Sequence, residues 1–185
     1  MVRIAALFVV AALAAAPLAA QDSEAPEAPA APEAEPPMTL DRLGEIVSTL
    51  DPEAQSNGVA FQMTINDVPV LIVTDASADR MRAMTPIRSA DAVPPEELIR
   101  LMQANFDTAL DARYAVAQGR LWSVFIHPLS PLEKNQFISG LGQVVNLALT
   151  YGSLYTGGAM TFGGGDSDAL HRALIDELLK KGEPI

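Results

Sequence analysis

The residues able to do polar chemistry are few in this chain and poorly spaced for it. Only two histidines occur, His127 and His171. His127 closes a strand-like run before Pro128, and His171 falls near the start of a terminal helix. Neither has a second histidine or a carboxylate at a metal-ligand spacing, and cysteine is absent. No metal site and no cofactor are expected. The Gly-x-Ser-x-Gly nucleophile motif is missing; Ser139-Gly140 lies inside an amphipathic helical pattern, the wrong setting for it. Gly157-Gly158 and Gly163-Gly164-Gly165 precede a helix, as in a phosphate cradle, but no Lys-Ser/Thr pair follows. Asp166 and Asp168 stand there instead, where they repel phosphate and cap well. That stretch reads as a hinge. Paired acids, Asp107 with Asp111 and Asp75 with Asp79, can share acid–base work only where burial separates their pKa values, and nothing near them predicts burial. The Asp75–Asp79 loop also lacks the ligands of a calcium loop. No catalytic residue is predicted and the chain is not expected to be an enzyme. The alternatives are a periplasmic hydrolase with a site assembled from dispersed acidic residues, or an envelope-associated structural protein held by its leader. The hydrolase requires a pocket that gathers carboxylates or His127 with a shifted pKa.

The stronger signal is apolar. Val70-Leu71-Ile72-Val73 is apolar on both faces of a strand and needs cover on each. Trp122, Val124 and Ile126 alternate with Leu121, Ser123 and Phe125, so a later strand is apolar on both faces too. The main helices suffice for one face. Val70, Leu71, Ile72, Val73, Trp122, Val124 and Ile126 are therefore the candidate partner-binding residues. The occupants to weigh are a protein partner, a second copy of the chain, and its own terminal helix with the stripe Leu170, Leu174 and Leu178. Arg80, Arg82 and Arg88 share strand parity, which allows an anion-binding stripe. Ion pairing with Asp67, Asp75 and Asp79, or protection of a strand edge, is the simpler use.

These residues hang on a legible series of elements. Thr39 caps a helix with apolar positions Leu40, Leu43, Ile46, Val47 and Leu50. Val59, Phe61, Met63 and Ile65 alternate with Ala60, Gln62 and Thr64 in a strand, and Asn66-Asp67 turns the chain into Val68–Thr74. A third strand covers residues 80–88. Pro94-Pro95-Glu96-Glu97 opens a helix buried through Leu98, Ile99, Met102, Phe106 and Ala109. A hairpin follows, Ala112–Ala117 and Leu121–His127 around Gln118-Gly119. Ser130-Pro131 with Glu133 starts a long helix that contains Gly140 and Gly142. After the glycine-rich stretch comes a last helix with Leu170, Leu174, Ile175, Leu178 and Leu179. The expected fold is α+β, an antiparallel β-sheet of about five strands packed with helices in the order α-β-β-β-α-β-β-α, plus an extra C-terminal helix.

Around this domain the ends read differently. Met1–Ala20 has one basic residue, Arg3, an apolar run, and a small-residue site before Gln21, the pattern of a secretory signal peptide. Export to the periplasm or beyond is expected, with cleavage after Ala20 and no stable membrane span afterwards. Residues 21–37 are almost wholly Ala, Pro and Glu and read as a disordered spacer. The domain is then residues 38–156, followed by the Gly-rich linker and C-terminal helix, 157–185. The chain carries a net charge of −11. Loss of the leader removes only Arg3, so the mature protein stays acidic, and nucleic-acid binding is disfavoured.

From Pro94 to Tyr155 the pattern resembles known proteins. A leucine-rich helix ends in Ala104-Asn105-Phe106; the hairpin runs Ala112-Arg113-Tyr114-Ala115-Val116 and Leu121-Trp122-Ser123-Val124. Pro128-Leu129 and a long helix with Phe137 and Val144-Val145 complete it. With the upstream helix and strands, residues 39–155 resemble the fold shared by type III secretion chaperones and the YbjN-like family, described as bacterial sensory transduction regulators. The resemblance implies a small acidic protein-binding domain, often a homodimer, without known catalysis. In such chaperones an extended partner segment lies on an apolar surface. Two features depart from the chaperones: they act in the cytoplasm, whereas this chain carries an export signal, and it adds the glycine linker and terminal helix. An exported YbjN-like domain is the inference.

Overall fold

The computed structural model describes residues 35–107, 110–151 and 168–183. The expected leader, most of the Ala/Pro/Glu tract, and Gly157–Gly165 lie outside those residues.

The first helix, α1 (Leu40–Leu50), begins where its cap predicts: Thr39 Oγ1 accepts from the Arg42 N–H at 3.2 Å. Its buried stripe is Leu43, Ile46, Val47 and Leu50. Six antiparallel strands follow: β1 (Gln55–Ser56), β2 (Ala60–Ile65), β3 (Val68–Asp75), β4 (Arg80–Ser89), β5 (Arg113–Ala117) and β6 (Arg120–Pro128). Their order across the sheet is β1-β2-β3-β4-β6-β5. Periodicity predicts five of them; β1 is two exposed residues, too short to leave an alternation. Two hairpins are closed by two-residue turns with positive φ at both positions, Asn66-Asp67 and Gln118-Gly119. That conformation matches the right-handed twist of the strands they join.

Between β4 and β5 in the chain, α2 (Pro95–Asp107) runs to the outer edge of β5. There the Asn105 side chain imitates a neighbouring strand. Its Oδ1 accepts from the Tyr114 N–H at 2.7 Å and its Nδ2 donates to the Tyr114 carbonyl at 3.0 Å. An edge that would otherwise offer free ladder groups is thus partly closed.

The long helix, α3 (Lys134–Leu149), starts later than the Ser-Pro signal predicts. Its cap is Glu133, in a capping box with Gln136. Ser130 is otherwise engaged: its N–H and hydroxyl both donate to the Asp79 carboxylate, at 2.7 and 2.9 Å, which ties the β3–β4 turn to the loop before α3. Every residue from Gly140 to Leu147 is buried. The sheet lies on one side and the C-terminal helix, α4 (Asp168–Gly182), on another. Gly140 lies so close to the Phe125 ring that an added Cβ would stand 2.6 Å from it, and one at Gly142 would stand 2.7 Å from Ile175 of α4. Leu174 and Leu178 complete the α4 contact, and Lys181 Nζ donates to the Leu50 carbonyl at the end of α1. The terminal helix therefore docks on α1 and α3, in the helical layer. The second face of the sheet stays free of it.

Candidate functional site

Strand alternation sorts the candidate residues into two sets. Val70 and Ile72 point at the helices and have no exposed surface. Leu71 and Val73 point the other way, and so do Trp122, Val124 and Ile126. A partner on the outer face meets these five and not the first two, because one residue along a strand is one change of face.

On that face the side chains form cross-strand rows. Leu71 lies opposite Met84, which lies opposite Val124. Val73 lies opposite Arg82, which lies opposite Ile126. Trp122 lies opposite Ala115 of β5, and its indole N–H donates to the Ala117 carbonyl at 2.9 Å. Ile126 is 56% exposed and Val73 39%. No described helix packs over them. Met84 is the apolar member that strand reading missed; its place opposite Leu71 follows only from the β3–β4 register. A shallow hollow of about 460 Å³ opens at one end of the face, lined by Val73, Asp75, Arg80, Arg82, Met84 and Ile126.

The expected stripe of three arginines is broken. Arg80 and Arg82 line the hollow, but the β4–β6 register shifts between Pro86 and Arg88. This bulge turns Arg88 to the helical side, where its guanidinium lies 5.7 Å from the Tyr151 ring centroid and donates to the Tyr151 hydroxyl at 3.3 Å. Burial pushes the Tyr151 hydroxyl above the usual phenol range, and a hydrogen bond to Glu97 adds to this.

The polar candidates are otherwise employed. Asp75 is held below the usual carboxylate range by the Ser77 hydroxyl, which donates at 2.6 Å, and by the Ala78 N–H. Asp79 is lowered chiefly by the Ser130 N–H and hydroxyl. Both shifts favour the ionised form, the opposite of what a general acid needs. His127 Nδ1 lies 2.8 Å from the Pro128 carbonyl and its ring stacks on Phe125 at 5.9 Å, a packing arrangement. Asp111 and the buried Gln143 bond each other: the Gln143 carbonyl accepts from the Asp111 and Ala112 N–H groups, and its amide donates to the Asp111 carboxylate. That network anchors the start of β5 to α3. His171 side-chain contacts and Gly157–Gly165 lie outside the described residues. Among the described residues, no group of three His, Asp or Glu side chains is placed to hold a metal ion, and no helix is long and apolar enough to cross a membrane.

A second exposed apolar stripe runs along α2. Ile99, Met102 and Phe106, spaced three and four apart, are largely exposed, with Phe106 at 74%. Sequence periodicity assigns these residues to the core; instead Leu101 and Ala104 supply the buried contacts.

No family model matches the chain, and no curated protein matches it. Among solved structures, a chain in the crystal structure of the ExsC–ExsE complex is similar at 12% identity with a TM-score of 0.46, over 60% of this chain and 91% of that one.

Proposed function

We propose that this chain is an exported, non-catalytic protein-binding module and that its binding surface is the outer face of the sheet. One observation carries the reading: the terminal helix, the nearest internal candidate to cover that face, is packed on α1 and α3, so Leu71, Val73, Met84, Trp122, Val124 and Ile126 are left without cover by any described element. Exposed apolar groups gathered on one face, beside polar side chains, are the surface on which a polypeptide gains most from desolvation. The YbjN-like resemblance agrees with this reading and supplies no residue-level role.

The test is site-specific photo-crosslinking in the producing cell. A photoreactive residue in place of Ile126 is expected to give a discrete protein adduct, while the same residue in place of Ser48, exposed on α1, gives none. Equal labelling at both positions, or none at Ile126, overturns the assignment. Export is checked separately by mass spectrometry of the mature protein, which is expected to begin at Gln21; an intact Met1 in the mature pool removes the exported part of the reading.

Self-association is a second reading, favoured by the α2 stripe at the edge of the sheet. A homodimer through Ile99, Met102 and Phe106 predicts twice the chain mass in solution and a monomer for Phe106→Glu. A wild-type monomer at high protein concentration refutes it.

A further inference from the structure

The outer face is not merely apolar. Strand register puts four arginines on it: Arg80 and Arg82 on β4, Arg113 on β5 and Arg120 at the start of β6. It puts one acid there, Asp75, whose carboxylate already accepts from Ser77 and Ala78. The face is thus net positive on a chain whose net charge is −11. The side chains of Arg82 and Arg120 make no hydrogen bond or ion pair among the described residues. Arg80 lies opposite Asp75 across the β3–β4 ladder and favours the ionised Asp79 carboxylate, but among the described residues its side-chain hydrogen bond is to the Asp79 backbone carbonyl. Arg113 donates to the carbonyls of Leu110 and Ala112.

Their placement is ordered. Arg80 pairs with Pro128 at one end of β6, and Arg120 begins its other end. The two ends are eight residue steps apart, about 27 Å of strand at roughly 3.3–3.4 Å per residue. Between them lie Met84, Trp122, Val124 and Ile126, flanked by Arg82 opposite Ile126 on the β4 side and Arg113 opposite Val124 on the β5 side. Cations at both ends and along the sides of an apolar strip match an acidic ligand whose apolar side chains lie at its centre.

Resting on the proposal that this face binds protein, we infer that its partner is an extended polypeptide segment of about eight to ten residues, apolar in the middle and acidic at both ends. The carboxylates meet Arg80 and Arg82 at one end and Arg120 at the other, while apolar side chains lie on Met84, Val124 and Trp122. A nucleic acid fits less well. Its phosphates are evenly spaced, whereas these cations are interrupted by apolar residues, and the acidic remainder of the chain repels a long polyanion.

The chain offers its own probe. Trp122 is its only tryptophan, so indole emission reports this face without a label. The ligands are three synthetic twelve-residue peptides with the same Leu/Ser-alternating centre and two Glu, two Lys or two Gln at each end. The Glu peptide is expected to shift Trp122 emission, to bind about tenfold or more tightly than the Gln peptide, and to weaken as salt rises. Arg82→Glu combined with Arg120→Glu is expected to reverse the preference toward the Lys peptide, with an unchanged circular dichroism spectrum.

Equal binding of the three peptides overturns the acidic assignment while leaving a protein-binding face intact. No response to any peptide overturns it as well, and the in-cell adduct at Ile126 then tells whether the face binds protein at all. Tighter binding of a single-stranded oligonucleotide or of phosphatidylglycerol vesicles than of the Glu peptide, read by the same emission, overturns it in favour of a phosphate-bearing ligand.

Discussion

Leu71 and Ile72 are neighbours in β3, and the same substitution at each is expected to have opposite consequences. Ile72 has no exposed surface and packs beneath the helices. Ile72→Asp removes apolar contacts of about 2–5 kcal/mol and strands a carboxylate whose desolvation costs several kcal/mol more. The sum takes most or all of the roughly 5–15 kcal/mol that holds a typical domain. Leu71 faces outward and is only partly covered by its strand neighbours. An aspartate there reaches water, so Leu71→Asp costs about 1–2 kcal/mol in lost contact and strand propensity. Urea unfolding followed by circular dichroism separates the two. Ile72→Asp is expected to show no cooperative transition. Leu71→Asp is expected to keep one, with its midpoint lowered by about 1 M, and to lose the peptide binding proposed for the outer face. Equal loss of stability in both variants would refute the face assignment, since it requires either a register one residue away or a cover on the outer face.

Gly140→Ala places its Cβ 2.6–2.9 Å from three ring carbons of Phe125, against an ordinary contact of about 3.5–4.0 Å. The strain, about 1–3 kcal/mol, exceeds the gain of about 1 kcal/mol in helix propensity, so thermal melts should show net destabilisation. Gly44→Ala meets Phe61 at 3.3 Å and is expected to be neutral or slightly stabilising; identical melts for the two variants contradict the packing account. Ser123→Ala removes a buried hydroxyl with no hydrogen-bond partner among the described residues and should raise stability by about 1 kcal/mol, whereas a fall indicates a partner for that hydroxyl. Glu35, Asp75 and Asp79 all have lowered pKa values in the fold, so the unfolded chain binds more protons as pH falls. The stability they supply is complete above the ordinary carboxylate range near pH 4 and is lost as pH drops through the lower folded values. Asp79→Asn should flatten that loss in melts between pH 7 and pH 3; an unchanged slope removes Asp79 from the account.

Local rules were enough to write down most of the elements. Thr39 caps α1 because a hydroxyl at that position satisfies an orphan N–H wherever the helix sits. The alternation of Phe61, Met63 and Ile65, and the two-faced run Val70–Val73, follow from the period of two that any strand imposes. The sequence also sufficed to say that one apolar sheet face would lack cover from the main helices.

What it could not contain were choices made between distant segments. The start of α3 moved to Glu133 because Ser130 is taken by Asp79, fifty-one residues earlier in the chain. Arg88 left the outer face because a bulge appears only when β4 is laid against β6. Apolar residues on α2 stayed exposed because Leu101, Ala104 and Asn105 meet the sheet edge instead. The terminal helix had two greasy surfaces to choose from. It took the groove where Gly142 lets Ile175 approach and Gly182 fits against Ile138, a matter of shape that no residue pattern encodes. Amphipathic spacing tells a segment to bury one side; only close packing in three dimensions decides against what, and so which face of the sheet is left bare among the described residues.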